Sequence, residues 1–174
     1  MHLQSVSLGD ARVLPLLRGL SLEYERRYGA ATALLDADAA EFEPPFGLFL
    51  VLIDHETTIA GGGLRRIDND TAELKRLWTS PSREREGHAT RVVRALENVA
   101  RASGYHKVRL LTGPAQPEAL GLYAKLGYLP AAHYGPYPEG IALERMLESA
   151  AHAALPGNAM PEDASYGTHH AEEP

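Results

Sequence analysis

A polar loop that ends in a glycine at the start of a helix is the first feature of this sequence with a chemical meaning. Residues 80–86 are polar, and Gly87 opens a helical pattern that runs to about Ala102. The first amides of a helix have no internal partner, and the helix dipole adds partial positive charge there. Glycine also lets a ligand approach the backbone closely. The loop therefore predicts a phosphate site made by the amides of residues 85–90.

Strand and helix patterns surround this loop and must position it. Strand patterns cover residues 3–8, 47–53, 57–66, 71–78, 107–112, 128–134 and 141–147. Helical spacing covers residues 11–28, 32–42, 87–102 and 117–126. Asp10 is suited to cap the first helix, Pro15 predicts an irregular first turn, and Gly29 predicts the helix end. Three consecutive glycines at 61–63 predict a bulge or a close backbone approach.

Composition excludes several kinds of chemistry. The chain has 174 residues, of which 44% are hydrophobic, and this predicts one folded domain over residues 1–147. The absence of cysteine rules out disulfides, thiolate metal sites and a cysteine acyl-enzyme. The histidines show no ligand spacing apart from the adjacent pair His169 and His170, so we expect no metal.

The net charge of −6 is unevenly distributed along the chain. From Glu148 onward there are five acidic residues and no Lys or Arg, so residues 1–147 are nearly neutral. We expect residues 148–174 to be a flexible acidic tail. No basic face favours nucleic acid, and no apolar run is long enough for a membrane span. The N-terminus lacks a signal-peptide pattern, so we expect a cytoplasmic protein that binds neither nucleic acid nor membrane.

Two longer runs resemble a known superfamily. Residues 72–89, AELKRLWTSPSREREGHA, resemble motif A of the GNAT acetyltransferases, and residues 117–128, PEALGLYAKLGY, resemble motif B, the more specific match. Residues 62–64 and the loop 134–137 are also similar to segments of small bacterial members. The resemblance implies the GNAT fold, an α/β (α+β) architecture. Its mixed, mostly antiparallel sheet has about six or seven strands, splayed in the middle, with about four helices.

The resemblance also implies a site for acetyl-coenzyme A. The strands 71–79 and 107–112 would separate to admit the pantetheine, and the loop-helix amides would hold the pyrophosphate. The residues placed around the coenzyme are Leu77, Trp78, Thr79, Arg83, Arg85, Glu86, Gly87, His88, Ala89, Thr90 and Gln116. His88 has a second interpretation, as a helix cap. Glu84 departs from the family, which has Gln or Arg there, and Arg83 and Arg85 are expected to supply the missing positive charge.

Transfer to an amine requires a base and an acid. Glu73 is the first candidate for the base, because related enzymes often carry a glutamate there. The alternative is a solvent-facing strand residue paired with Lys75 or Arg76, in which case a backbone carbonyl and ordered water would replace it. Glu23 and His133 are further candidates. Tyr123 matches the motif B tyrosine and is expected to protonate the departing thiolate; the alternative is a tyrosine packed against the sheet.

The resemblance places the acceptor pocket between the first helices and the loop before the last strand. The residues there are Glu23, Tyr24, Arg27, Tyr28, Phe46, His133, Tyr134 and Tyr137. Aromatic rings with one acid suit a small amine with an apolar body, an amino acid or a peptide N-terminus. A polycationic acceptor ranks lower, because the body has no dense acidic patch.

Three functions remain open at this point. The first is transfer of acetyl from acetyl-coenzyme A to a primary amine of a small molecule or peptide, without a covalent intermediate. The second, favoured by Glu84, is a non-catalytic ligand-binding module with the same fold. The third is an enzyme with another acyl donor or reaction. By analogy with many relatives, a homodimer is compatible with each of them.

Overall fold

A computed structural model describes residues 1–29 and 39–148 of the chain. The strands are β1 (His2–Val6), β2 (Leu48–Asp54), β3 (Thr57–Arg66), β4 (Thr71–Thr79), β5 (Lys107–Thr112), β6 (Leu129–Pro130) and β7 (Ile141–Met146). The α-helices in the described ranges are α1 (Leu14–Tyr28), α2 (His88–Ala102) and α3 (Pro117–Lys125). Short 3-10 turns lie at Ala11–Val13, Ala39–Phe42 and Pro81–Arg83.

The strands form one seven-stranded sheet in the order β1-β2-β3-β4-β5-β7-β6. Every neighbouring pair is antiparallel except β4 and β5, which are parallel. The expected mixed, mostly antiparallel sheet is therefore confirmed. The final hairpin is also confirmed, although its first strand is shorter than the predicted residues 128–134 and spans only Leu129–Pro130.

The expected count of four helices is too high for residues 1–29 and 39–148, which contain three α-helices. Of the helix predicted at residues 32–42, the described part is the 3-10 turn Ala39–Phe42, and residues 32–38 lie outside the described ranges. Pro44 and Pro45 follow after Glu43 and cannot continue a helix. The predicted acidic tail also lies outside the described residues, apart from Glu148.

Local sequence explains the shape of α1. Asp10 Oδ1 accepts a hydrogen bond from the Arg12 amide at 2.9 Å, and a 3-10 turn precedes the helix. Pro15 lies in the first turn of α1, and Gly29 ends it with φ at 69°. The predicted irregular start and the predicted end are both confirmed.

The two faces of the sheet carry separate hydrophobic clusters. One cluster packs α2 against the sheet and includes Leu74 and Leu96. The other packs α1 and includes Leu20, Phe49 and Trp78. The two helices therefore lie on opposite faces of the sheet, and both contact β3 and β4.

A bulge in β4 accompanies the three glycines of β3. Gly61 pairs with Trp78 and Gly63 pairs with Lys75, so that two residues of β4 oppose the single residue Gly62. One of the two, Arg76, has φ at 57°. A side chain at Gly62 would collide with Leu77, so the close approach predicted for this segment is present. Because bulges bend and twist a strand, this one directs the end of β4 away from the sheet.

Candidate functional site

The two parallel strands separate after three residue pairs. Thr71, Ala72 and Glu73 of β4 pair with residues 107–109 of β5, and no pairing between these strands continues beyond them. β4 stays paired with β3 up to Thr79, and β5 stays paired with β7 up to Thr112. Each strand therefore follows its outer neighbour, and a gap opens between residues 74–79 and residues 110–112.

The N-terminus of α2 lies directly after the β4 end of this gap. Gly87 occupies the cap position with φ at 84°, and no side chain caps the helix. Within the described residues, no hydrogen bond is donated by the backbone amides of residues 85–90. A Cβ atom added at Gly87 would meet nothing within 4 Å, so the backbone is open to an approaching group. These unsatisfied amides are suited to an anion.

The charged side chains of the preceding loop pair mainly with one another. Arg83 donates to Asp54 at 2.8 Å and to Glu86 at 2.9 Å, which lowers the pKa of both carboxyl groups. His88 Nε2 lies 3.0 Å from Glu86. The interpretation of His88 as a helix cap is wrong, since its ring bonds to Glu86 and α2 has no side-chain cap. Asp54 and Glu86 also neutralise the positive charge of Arg83 that was expected to offset Glu84.

The two remaining charged residues of the loop point into solvent. Glu84 and Arg85 are both exposed, and neither forms an ion pair with another described residue. Arg85 has φ at 64°, which continues the turn into Gly87. Of the two arginines expected to offset Glu84, only Arg85 keeps its charge uncommitted among the described side chains.

The end of β4 presents one polar atom without a partner. Thr79 Oγ1 is fully buried and accepts or donates no hydrogen bond among the residues described. Its neighbours are committed elsewhere: the Leu77 side chain packs at Gly62, and the Trp78 ring packs against α1 at Gly19. A buried hydroxyl without a partner is costly, so it is suited to a polar ligand entering the gap. This observation fits the amide-bearing pantetheine arm.

Gln116 is used by its own turn. Its Oε1 accepts from the Gly113 amide at 3.1 Å and lies 3.3 Å from Thr112 Oγ1. The side chain thus closes the loop between β5 and α3, where Gln116 is the residue before the helix. Its expected contact with the coenzyme would require that this turn opens or that the amide nitrogen is used.

Glu73 is buried in a network of charged and polar groups. Only 1% of its surface is exposed, and Oε2 accepts from Arg65 at 2.7 Å. Oε1 accepts from the Tyr134 hydroxyl at 3.2 Å and lies 3.5 Å from Lys75 Nζ. The alternative interpretation, a solvent-facing strand residue, is wrong about its exposure. The predicted ion-pair partners of Glu73 also did not include Arg65, which lies opposite Glu73 in β3.

Tyr134 connects the loop before β7 with the centre of the sheet. Its ring lies against the Arg109 guanidinium, 4.2 Å from ring centre to Cζ, while its hydroxyl bonds to Glu73. Burial and the neighbouring carboxylate raise the pKa of Tyr134, so it stays protonated and acts as a donor. Glu73 and Tyr134, predicted separately as base and acceptor residue, are therefore in direct contact.

Tyr123 is presented by α3 and is 6% exposed. Its ring packs against Tyr128 with 5.6 Å between centroids. Burial raises the pKa of Tyr123, and Tyr24 adds a smaller effect in the same direction. The hydroxyl is therefore protonated at neutral pH.

Several predicted acceptor residues meet on α1. Tyr24 lies 6.1 Å from Tyr28 between ring centroids, and burial raises the pKa of Tyr24 to about 12, with contributions from Glu23, Tyr28 and Tyr137. Tyr24 in turn contributes to the raised pKa of Tyr123 on α3.

The C-terminal end of α1 is tied to the β5–α3 loop. Arg27 binds Glu23 at 3.0 Å and Glu118 at 3.2 Å, and it also donates to the Ala115 carbonyl. The Tyr28 hydroxyl occupies the space that a side chain at Gly113 would need. These contacts fix the distance between α1 and the helix that carries Tyr123.

Two predicted acceptor residues lie apart from this group. Phe46 is 52% exposed and lies under Arg66, at the end of β3 that is farthest from α2's N-terminus. His133 is exposed and bonds to the Gly140 carbonyl within its own loop. Neither contacts Glu73 or Tyr123.

Two kinds of site are not found in the described ranges. No group of three or more histidine, aspartate or glutamate side chains in residues 1–29 and 39–148 is arranged to hold a metal ion. Over the same residues, no helix is sufficiently long and apolar to cross a membrane.

Comparison with known families agrees with this geometry. The sequence profile of the acetyltransferase (GNAT) family matches residues 15–128. The chain belongs to this family. The matched region contains the bulge of β4, the parting strands, the start of α2 and Tyr123, so every part of the proposed donor site lies inside it.

Individual GNAT relatives match at lower identity. An IAA acetyltransferase from Azospirillum brasilense is 32% identical over 95 residues, which are 52% of this chain and 62% of that protein. The match thus spans less than two thirds of that relative.

Solved GNAT structures share the fold. The GNAT domain of S. lividans PAT has a TM-score of 0.69 at 21% identity, covering 83% of this chain and 89% of that one. PaiA N-acetyltransferase from Thermoplasma acidophilum, solved with coenzyme A, has a TM-score of 0.64 at 17% identity, with 84% and 99% covered.

Proposed function

We propose that this GNAT protein transfers an acetyl group from acetyl-coenzyme A to a primary amine of a small molecule or peptide, by direct attack within a ternary complex. The observation that carries the proposal is the gap between β4 and β5, which lies beside unsatisfied amides at the start of α2. A diphosphate and a linear arm need these two features together.

The donor side rests on backbone groups. The amides of residues 85–90 would bind the diphosphate, and Thr79 Oγ1 would find a partner on the arm that enters the gap. The coenzyme supplies the acetyl group as a thioester. Glu84 is exposed, so its carboxylate can point into solvent, and Arg85 offers the positive charge that the loop needs.

Glu73 is the candidate base, and its surroundings limit how it would act. Oε2 is engaged by Arg65, so a proton from the ammonium would reach Oε1, where Tyr134 and Lys75 also lie. Because the carboxylate is buried, transfer through an ordered water is compatible with this position. A backbone carbonyl with water remains the alternative base.

Tyr123 is the candidate acid. Its raised pKa keeps the phenol protonated at neutral pH, as a general acid requires. We expect Tyr123→Phe to lower kcat about 100-fold, since removing a general acid typically costs that much or more, while the affinity for coenzyme A stays near normal. Unchanged turnover would remove Tyr123 from this role.

A melting experiment with acetyl-coenzyme A tests the proposal as a whole. At about 100 times the dissociation constant, a ligand of the folded state adds about 2.7 kcal/mol of stability. A second assay measures the release of free thiol from acetyl-coenzyme A in the presence of each amine of a panel. A ligand-binding module would be stabilised by an amine but not by the coenzyme. An enzyme with another donor or reaction would bind coenzyme A and acetylate no amine.

A further inference from the structure

Glu73 has to lose a proton in every turnover of the proposed reaction. An ammonium and a thioester become an amide, a thiol and one free proton, so the proton that Glu73 takes from the ammonium must reach water before the next cycle. Only 1% of Glu73 is exposed. Water therefore has little direct access to the carboxylate, and the groups that contact it decide the path of the proton.

The contacts of this carboxylate differ in their ability to carry a proton. Among the described residues they come from Arg65, Tyr134 and Lys75. The Arg65 guanidinium has no acceptor and keeps its protons, so it cannot take another. The Tyr134 hydroxyl already donates to Oε1, and burial and Glu73 keep it protonated by raising its pKa. Lys75 is the contact that can both release and accept a proton.

Lys75 connects the buried carboxylate with the gap between β4 and β5. It lies two residues after Glu73 in the strand, so both side chains are on the same face, and its Nζ is 3.5 Å from Glu73 Oε1. Glu73 forms the last pair with β5, whereas at Lys75 the described part of β5 no longer pairs with β4. The Lys75 side chain is accordingly 27% exposed, against 1% for that of Glu73.

The surroundings of Lys75 favour proton exchange. Burial lowers the pKa of its amine; Glu73 opposes this effect, while Arg65 and Arg76 add to it. An ammonium with a lowered pKa gives its proton to water more readily, and the neutral amine can then accept a proton from a neighbouring acid. The 3.5 Å contact supplies the path, and the lowered pKa favours its use.

We propose that Lys75 relays the proton of Glu73 to solvent, acting through the base without contacting the acceptor. In each cycle the Lys75 ammonium releases a proton to water, and its neutral amine then takes the proton from Glu73 Oε1. This restores the carboxylate and the ammonium with which the cycle began. The second proton lost by the acceptor nitrogen ends on the thiol through Tyr123. The relay rests on the proposed function, because it requires Glu73 to be the base.

Two replacements of Lys75 in the full-length chain separate a relay from a purely electrostatic role. Lys75→Ala removes both the charge and the exchangeable proton, whereas Lys75→Arg keeps the charge but does not release its proton. We expect kcat to fall about tenfold in both, less than for a lost base, because water retains a slower route. The rise in Tm caused by acetyl-coenzyme A should persist.

Two outcomes of these kinetics would overturn the relay. The first is a normal kcat for Lys75→Arg beside a reduced kcat for Lys75→Ala, which would mean that only the charge of Lys75 is needed. The second is a normal kcat for both variants. The matched controls are Lys125→Ala and Lys125→Arg, at an exposed position of α3, and we expect parent-like kcat for each.

Chemical rescue gives a readout that a structural role would not change. Imidazole titrates near neutral pH and is not a primary amine, so it can carry the proton from Glu73 in the space left by Lys75→Ala. Added imidazole should restore most of the lost kcat of this variant and leave the parent enzyme and both Lys125 variants unchanged. A reduced kcat that imidazole does not raise would overturn the relay.

Failure of the proposed function would give a different result. It would show as a parent enzyme that acetyl-coenzyme A does not stabilise, or that acetylates no amine. Either result would remove the relay together with the reaction that it serves. The kinetic and rescue outcomes of the Lys75 variants, by contrast, would remove the relay and leave the acetyl transfer in place.

Discussion

Two glutamates, one on each face of the sheet, are buried to the same extent and surrounded by the same kinds of groups. Glu73 in β4 and Glu97 in α2 are each 1% exposed. Glu97 accepts from the Tyr128 hydroxyl at 3.0 Å, from Arg94 at 2.9 Å and from Arg145 at 2.7 Å. Glu73 likewise accepts from a tyrosine and an arginine.

What separates them is their position relative to the gap. Glu73 forms the last parallel pair, with Arg109, before β4 and β5 part. Glu97 faces β7, and β5 and β7 stay paired over their full length. Burial and an arginine partner are therefore not sufficient to mark a catalytic carboxylate, because Glu97 has both. We assign a reaction role to Glu73 because of the gap beside it.

The largest difference is expected in turnover. Glu73→Gln should lower kcat about 100-fold or more, because a general base typically contributes at least that much. The rise in Tm caused by coenzyme A should persist, which would show that the donor site is intact. Turnover within threefold of the parent enzyme would transfer the base role to a backbone carbonyl and water.

Glu97→Gln should separate stability from activity. Removing one partner of a buried ion pair costs about 3–5 kcal/mol, and here two arginines lose their carboxylate. We expect a lower free energy of unfolding in urea with kcat nearly unchanged for the folded enzyme. A loss of kcat as large as that of the Glu73 variant would mean that the two networks do not differ in function.

The tyrosines that donate to the two carboxylates provide a smaller, matched comparison. Tyr134→Phe and Tyr128→Phe each remove one hydroxyl bonded to a buried charged group, for a loss of about 1.5–3 kcal/mol of stability. We expect only Tyr134→Phe to change KM for the amine as well, because Tyr134 belongs to the acceptor loop. Steady-state kinetics of both variants test this expectation. The same KM for the amine in the two variants would contradict the assignment of the loop before β7 to the acceptor pocket.

Alkaline pH should reveal the same two tyrosines through stability. Burial and the adjacent carboxylates raise the pKa of Tyr128 and of Tyr134 above the unfolded value near 10. The folded state then holds protons that the unfolded state loses, so this stability is complete below about pH 10 and declines as the pH rises further. Each Phe variant should show a shallower decline in urea unfolding between pH 10 and 11; an unchanged slope would contradict these shifts.

The elements and the donor loop could be predicted from the sequence because they depend on local patterns. The bounds of β3 and β5 agree with the predicted ranges, and α2 begins one residue after the predicted Gly87. The contact of Tyr134 with Glu73 spans 61 residues, and no local pattern encodes it. The pairing of Arg65 with Glu73 could have been predicted from the sequence. The turn at residues 68–70 sets the register of the β3–β4 hairpin, and this register places Arg65 opposite Glu73.

Phe46 shows the opposite error. The resemblance places Phe46 in the acceptor pocket, but the ring lies under Arg66 at the far end of β3. Which end of a strand a loop residue reaches depends on the register of β2 with β3, where Leu48 pairs with Leu64. That register is a tertiary property, and the strand pattern alone does not determine it.

Amide NMR during titration with acetyl-coenzyme A tests the central claim most directly. The account predicts that the largest shift changes occur at the amides of residues 85–90, together with residues 77–79 at the edge of the gap. Saturating ligand that leaves those amides unmoved, or that shifts a separate region of the sheet, would contradict a diphosphate at the start of α2.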